Sequence, residues 1–177
     1  MNAKLEKLRG ELFTQDDEKF QQTIERLMDQ GTLDQIPLLF NSYFFNENRI
    51  RKHRLFELMA SVVKKGAEKT WIQLLKEQTE TTARRAIVQI MWNSRLNFAP
   101  FLIEIVALAC LEDELTGVEC LTLIENMESP YTEETIMDAK VKIIECLNQN
   151  QQALTESKKK ILHEILTRIT AQENHIF

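Results

Sequence analysis

The sequence predicts an all-α protein, and three observations carry that prediction. Apolar residues recur at spacings of three and four almost from end to end, with no sustained alternation of period two. Four glycines and three prolines in 177 residues are too few for the turn-rich sandwiches and barrels. Leu, Ile, Val and Phe number 22, 16, 6 and 9, which supplies a core and, with a net charge of only −5, excludes a disordered chain.

The period divides the chain into ten helices, at approximately 2–13, 16–30, 33–46, 49–65, 67–78, 80–95, 98–112, 114–128, 132–149 and 154–172. Gly31 ends the second, and Thr32 with Gln35 three residues on has the spacing of a capping box for the third. The third carries a dense aromatic cluster: Phe40, Tyr43 and Phe44 share a face, while Leu38 and Phe45 point elsewhere. Gly66 is read as the stop of the fourth, with Lys64 and Lys65 set against the negative end of its dipole. Leu55, Leu58, Met59 and Val62 form its buried side. Trp71 is read as core of the fifth. Ala83, Ile87, Ile90 and Met91 form the buried side of the sixth. Asn97 to Pro100 interrupts before the seventh, because proline drives its predecessor away from helix. The seventh is apolar nearly all round except at Glu104, as suits a helix flanked on two sides. Ser129-Pro130 separates the eighth and ninth. Asp16-Asp17 and Glu133-Glu134 open helices, where carboxylates complement the dipole. Connections are short, so sequence neighbours pack antiparallel, and no Pro/Gly/Ser-rich linker divides the chain. A single domain over 1–177 is expected.

Helix openings also recur. Ile36-Pro-Leu-Leu-Phe40, Trp71-Ile-Gln-Leu-Leu75 and Ala99-Pro-Phe-Leu-Ile103 each begin a helix. Each is followed by a second helix: Arg49-Ile-Arg-Lys-His-Arg-Leu-Phe, Thr82-Ala-Arg-Arg-Ala-Ile-Val and Thr116-Gly-Val-Glu-Cys-Leu. The middle one, a small residue then Arg-Arg-Ala behind Glu77 and Glu80, resembles the second helix of a HEAT repeat. The first matches through Ile50-Arg51 behind Glu47; the third departs, with Gly117 where an arginine would fall. The resemblance covers roughly residues 32–128 and implies architecture alone: a short HEAT-like α-solenoid of about five antiparallel helix pairs. In it, 1–31 and 129–177 are capping pairs, and terminal units carry a polar outer face.

Catalytic constellations are missing from the sequence. His53, His163 and His175 are isolated from one another and from the cysteines, and no Cys-x-x-Cys or His-Glu-x-x-His spacing occurs, so no metal is expected. No strand precedes a glycine-rich loop and no Gly-x-Ser-x-Gly elbow exists, so no cofactor is expected either. Cys110, Cys120 and Cys146 lie among apolar neighbours and read as small buried residues. Their odd number, the charged first 13 residues and a longest apolar run of only Ile105 to Leu111 give the expectation of a cytoplasmic chain outside the membrane. An enzyme is not expected.

Charge is unevenly spread. Residues 49–95 carry 11 Lys/Arg against 4 Asp/Glu, and residues 96–139 carry none against 10. Stacked repeats would turn this into a basic band beside an acidic one. On the helical wheel Arg85, Gln89 and Trp92 form one stripe opposite the core side of their helix. Arg54 and Lys65 face outward before them, Glu119 and Glu125 after them. If second helices line the concave side, as the HEAT resemblance implies, these seven residues form a charge-graded surface for another protein. Tryptophan and arginine are the types most enriched at binding hot spots. The alternative is nucleic-acid binding through the basic 49–95 segment. The ten acids that follow it and the acidic pI of about 5.4 oppose that reading. Glu104, Ala107 and Leu111 form the one solvent stripe of the seventh helix, and Lys158-Lys-Lys160 reads as a solvated helix face.

Overall fold

Ten α-helices and two short 3-10 turns account for the regular structure of the described residues, with no strand among them. The computed structural model describes residues 3–127, 131–149 and 153–173. The helices are α1 (Ala3–Leu12), α2 (Asp17–Gln30), α3 (Ile36–Phe44), α4 (Arg49–Ala60), α5 (Ala67–Glu77), α6 (Thr81–Asn93), α7 (Leu102–Leu111), α8 (Glu114–Glu125), α9 (Glu133–Gln149) and α10 (Glu156–Glu173). The protein is all-α, and no helix of the described residues is long and apolar enough to cross a membrane. The end of the eighth helix at Glu128, the break at Ser129-Pro130 and His175 lie outside the described residues.

Short polar side chains set most of the helix starts, by accepting from amides that have no partner inside the helix. Asp16 accepts from the amides of Glu18 and Lys19 at 3.0 and 3.1 Å, and Asn48 from Ile50 and Arg51 at 3.0 and 3.3 Å. Asp113 accepts from Thr116 at 2.9 Å, and Thr155 from Lys158 at 3.1 Å. The Thr32–Gln35 capping box is present, with the Thr32 amide donating to Gln35 Oε1 at 2.9 Å. It closes a 3-10 turn, Leu33–Gln35, before α3 begins. A second 3-10 turn, Ala99–Phe101, carries Pro100 ahead of α7.

Two boundaries differ by more than a turn: the seventh helix, expected from residue 98, begins at Leu102 behind its 3-10 turn, and the end of the fourth moves further. The fourth helix, expected to reach Lys65, stops at Ala60. Ser61 Oγ donates back to the Leu58 carbonyl at 2.7 Å, and two β-branched valines follow, so hydroxyl competition and χ1 restriction meet at one place. Gly66 therefore does not end α4 but precedes α5. Its φ of +91° is open to glycine without a Cβ penalty, and its carbonyl accepts from the Thr70 amide at 3.2 Å. Lys64 donates instead to the carbonyl of Gly31, after the end of α2.

The chain forms two compact units, 1–77 with 93–95, and 78–92 with 96–177. The division falls inside the stretch that resembles HEAT pairs. In the first unit α1 packs on α2 and α3, α2 on α4, and α3 on α4 and α5. Its core holds Leu12, Phe20, Ile24, Ile36, Phe40, Leu55, Met59 and Trp71, each at most 3% exposed. Phe40 lies 5.7 Å from Phe44 and 6.2 Å from Tyr43, centroid to centroid, while Phe45 stays 69% exposed. Arg51 ties the second helices together: it bonds Asp17 at 2.6 Å, reaches the Thr14 carbonyl and lies 4.8 Å over the Phe20 ring.

Ser42 Oγ is fully buried with no hydrogen-bond partner among the described residues. Ser42→Ala removes an unsatisfied hydroxyl without opening a cavity, so unfolding stability rises by about 1 kcal/mol. Chemical denaturation of the two proteins side by side measures this, and a loss of stability refutes it.

In the second unit α7 packs on α8 and α9, and α10 on α8 and α9. Leu102, Ile105, Val106, Ile136, Ile143, Leu162, Ile165 and Ile169 are all completely buried.

Candidate functional site

The predicted stripe on α6 meets the start and middle of α8, residue for residue. Arg85 forms an ion pair with Asp113 and donates through Nε to Thr116 Oγ1 at 3.3 Å. One turn on, Gln89 donates to Glu119 Oε1 at 2.7 Å. Trp92 Nε1 donates to the other oxygen of the same carboxylate at 2.9 Å. Spacings of four and three on one helix thus face a spacing of six from Asp113 to Glu119, as two adjacent helical faces require. A single carboxylate holds an amide and an indole.

A second layer lies at the edge of this stripe. Arg84 pairs with Glu112, which also accepts from the Thr81 hydroxyl, and Arg84 Nε donates to the Gln78 carbonyl at 2.8 Å. The Glu112 side chain is 7% exposed and that of Arg84 19%. On the far side of α8, Lys158 Nζ donates to the carbonyls of Glu112 and Asp113 at 2.6 and 3.1 Å. The lysine read as part of a solvated face is therefore buried, at 4% exposure; Lys159 and Lys160 lie farther out. Gly117 makes room for it. A Cβ there would stand 3.2 Å from Lys158 Nζ and 3.3 Å from an Ile161 methyl. The cation beside Gly117 is thus supplied by α10.

The electrostatics follow from this packing. Burial raises the Asp113 pKa, but bonds from the Thr116 hydroxyl and amide, with the Arg85 and Lys158 charges, outweigh it and hold the carboxyl below its ordinary range. Burial lowers the Lys158 pKa, opposed by the surrounding thiols and Asp113. Burial pushes the Cys110 thiol up to about 12, reinforced by the neighbouring Cys146 thiol, and pushes Cys120 up as well. Such thiols are poor nucleophiles.

The other predicted residues stand apart. Glu125 pairs with Arg168 of α10 at 2.9 Å, and Arg168 also reaches Glu164 at 3.0 Å. Arg54, in the first unit, donates to Glu57 on its own helix at 3.2 Å. Lys65 is exposed in the turn after α4. Asp113, Thr116, Glu112 and Lys158 complete the α6–α8–α10 network with Arg84 and were outside the predicted set. Glu112-Asp113 directly after an apolar helix was the available signal for the first of these contacts; nothing local marks Lys158. Among the described residues no group of three His, Cys, Asp or Glu side chains is placed to hold a metal. An open cleft of about 540 Å³ between α7 and α9 is lined by Ala107, Cys110, Leu111, Lys142, Glu145 and Cys146. It brings together two thiols, with Lys142 and Glu145 on the same wall. No protein-family model matches the chain, and no curated protein matches it significantly.

Proposed function

We propose that the chain is a non-catalytic protein-interaction or scaffold module, a short HEAT-like α-solenoid that offers a charge-graded second-helix surface to another protein. The observation that carries the reading is the run of side-chain ties between successive second helices: Arg51 to Asp17 from α4 to α2, Arg85, Gln89 and Trp92 to α8, and Arg168 and Lys158 from α10 to α8. Packing of α1 on α3, α3 on α5 and α2 on α4 in the first unit, and of α7 on α9 and α8 on α10 in the second, is what stacked pairs would give. A face held by such ties is pre-organised, which lowers the entropic cost of binding. In the first unit Arg54, 49% exposed, and the exposed Lys65 would set charge selectivity; in the second, Glu125 would do so and Trp92 and Gln89 would supply contact area.

Nucleic-acid binding through 49–95 is the weaker reading. Arg51, Arg54, Lys64, Arg84 and Arg85 already donate to oxygens of this chain, so a phosphate would have to displace those bonds. Electrophoretic mobility of duplex and single-stranded nucleic acid at low salt separates the two. The expected result is no shift for the native chain, together with photocrosslinking to a protein partner that Arg54→Glu/Lys65→Glu abolishes. A salt-sensitive shift lost in that variant overturns the proposal.

A further inference from the structure

The outer side of α9 carries an apolar stripe with a charged edge. Ile136, Ala139, Ile143 and Cys146 form its buried line. On the opposite side Met137, Val141 and Ile144 are 57%, 49% and 47% exposed. Spacings of four and three place these three on successive turns of one stripe. A helix exposed on one side ordinarily carries a polar outer face. The accessible side of α10 does so, with Ser157, Lys160, His163, Thr167 and Arg168.

Beside the apolar stripe runs a row of carboxylates, Glu134, Asp138 and Glu145, at spacings of four and seven, all exposed. Elsewhere Glu11, Asp17, Glu112, Asp113 and Glu125 each pair with an arginine. Among the described residues this row has no ion-pair partner. It straddles the end of the 96–139 segment, which contains ten acids and no Lys or Arg.

We infer that the outer face of α9 docks an amphipathic helix of another protein that carries lysine or arginine along one flank of its apolar stripe. A helix fits because anchors at i, i+4 and i+7 are the pattern one helix presents to another. The flank is basic because three carboxylates, against the single Lys142 beside them, lie along one edge of the stripe. A second copy of this chain fits poorly: antiparallel pairing across a two-fold axis would set the acidic row against itself. The inference shares the interaction-module reading but uses a different surface, and it is tested apart from it.

The probes are two labelled peptides of about 18 residues, five helical turns, one with a leucine stripe flanked by lysine and its counterpart flanked by glutamate. Fluorescence anisotropy is expected to show the lysine peptide bound at least about tenfold more tightly than the glutamate peptide, a difference of about 1.4 kcal/mol. Val141→Ser/Ile144→Ser, conservative in charge and half-exposed, weakens binding by a similar factor. Glu134→Lys/Asp138→Lys/Glu145→Lys reverses the preference between peptides. Arg54→Glu/Lys65→Glu leaves both affinities unchanged, so loss of the protein crosslink in that variant and loss of peptide binding on α9 report on separate surfaces. Equal affinity for the two peptides, no binding of either, or binding untouched by the α9 variants overturns the inference. So does a concentration-dependent dimer in sedimentation that Val141→Ser/Ile144→Ser abolishes, which would give the face to a second copy. Circular dichroism of each variant establishes that its helices are intact.

Discussion

Arg84→Met lowers unfolding stability by about 3 kcal/mol, the lower end of what breaking a buried ion pair costs. The pair is not symmetrical in exposure: Glu112 retains 7% of its side-chain surface and Arg84 19%. Removing the cation leaves a nearly buried carboxylate with the Thr81 hydroxyl as its remaining side-chain partner. It also strips the Gln78 carbonyl of its Arg84 bond. An uncompensated buried charge is the dominant cost, so neutralising it recovers stability. Arg84→Met/Glu112→Gln regains more than half of the loss. Urea denaturation of the two single variants and the double variant gives the coupling energy directly. A coupling near zero, with Arg84→Met costing under about 1 kcal/mol, would place the pair among ordinary surface bridges and remove it as a tie between α6 and α8.

How much of this was legible in the sequence follows from the range of each interaction. Helix identity was legible throughout because the period of the apolar residues is local, and Ile87, Ile90 and Met91 are buried as the wheel requires. The capping box at Thr32–Gln35 was legible for the same reason. The end of α4 was not, because Gly66 is a strong stop signal and outranked the weaker sum of Ser61, Val62 and Val63. The stripe Arg85, Gln89 and Trp92 was legible as a stripe, but what it faces depends on the register between α6 and α8. Register is set by packing some 30 residues away, and it brings Asp113 and Glu119 into line. Lys158 illustrates the limit most clearly. A run of three lysines reads as solvated, and only the missing side chain of Gly117, 41 positions earlier, opens the space that lets one of them turn inward. The exposed face of α9 was hidden by its own composition, since Met137, Val141 and Ile144 fit a helical period as well as core residues do.

The chain loses stability steeply as pH rises from about 9 to 12, and most of the loss originates in the second unit. Cys110 is pushed up to about 12 by burial and by the Cys146 thiol; Tyr131, by burial, also to about 12. Burial raises Cys120 too. In the unfolded chain these groups release their protons near their ordinary values, about 8.5 for a thiol and 10 for a phenol. Between those values and the folded ones the native state holds protons that the unfolded state has lost. The stabilisation is complete below about pH 8.5 and falls as pH rises through the folded values, by on the order of 1.4 kcal/mol for each unit of displacement of a fully buried group. Lys158 acts in the opposite sense. Its lowered pKa means that the native state sheds its proton first, so it adds stability as pH approaches the ordinary lysine value. One group then works against four, the fourth being Tyr43 of the first unit, which burial also raises. Urea denaturation across this range is expected to show a falling midpoint, and Cys110→Ala/Cys120→Ala a shallower fall. Alkylation supplies an independent reading of the same property. At pH 8 a thiol with a pKa near 12 is thiolate only to about one part in ten thousand, roughly a thousandfold less than a free cysteine. Iodoacetamide therefore labels Cys110 and Cys120 only after unfolding. Rapid labelling of Cys110 in the native chain, or a midpoint that the cysteine variants leave just as dependent on pH, shows that the thiols are not held neutral by the packing of α7, α8 and α9.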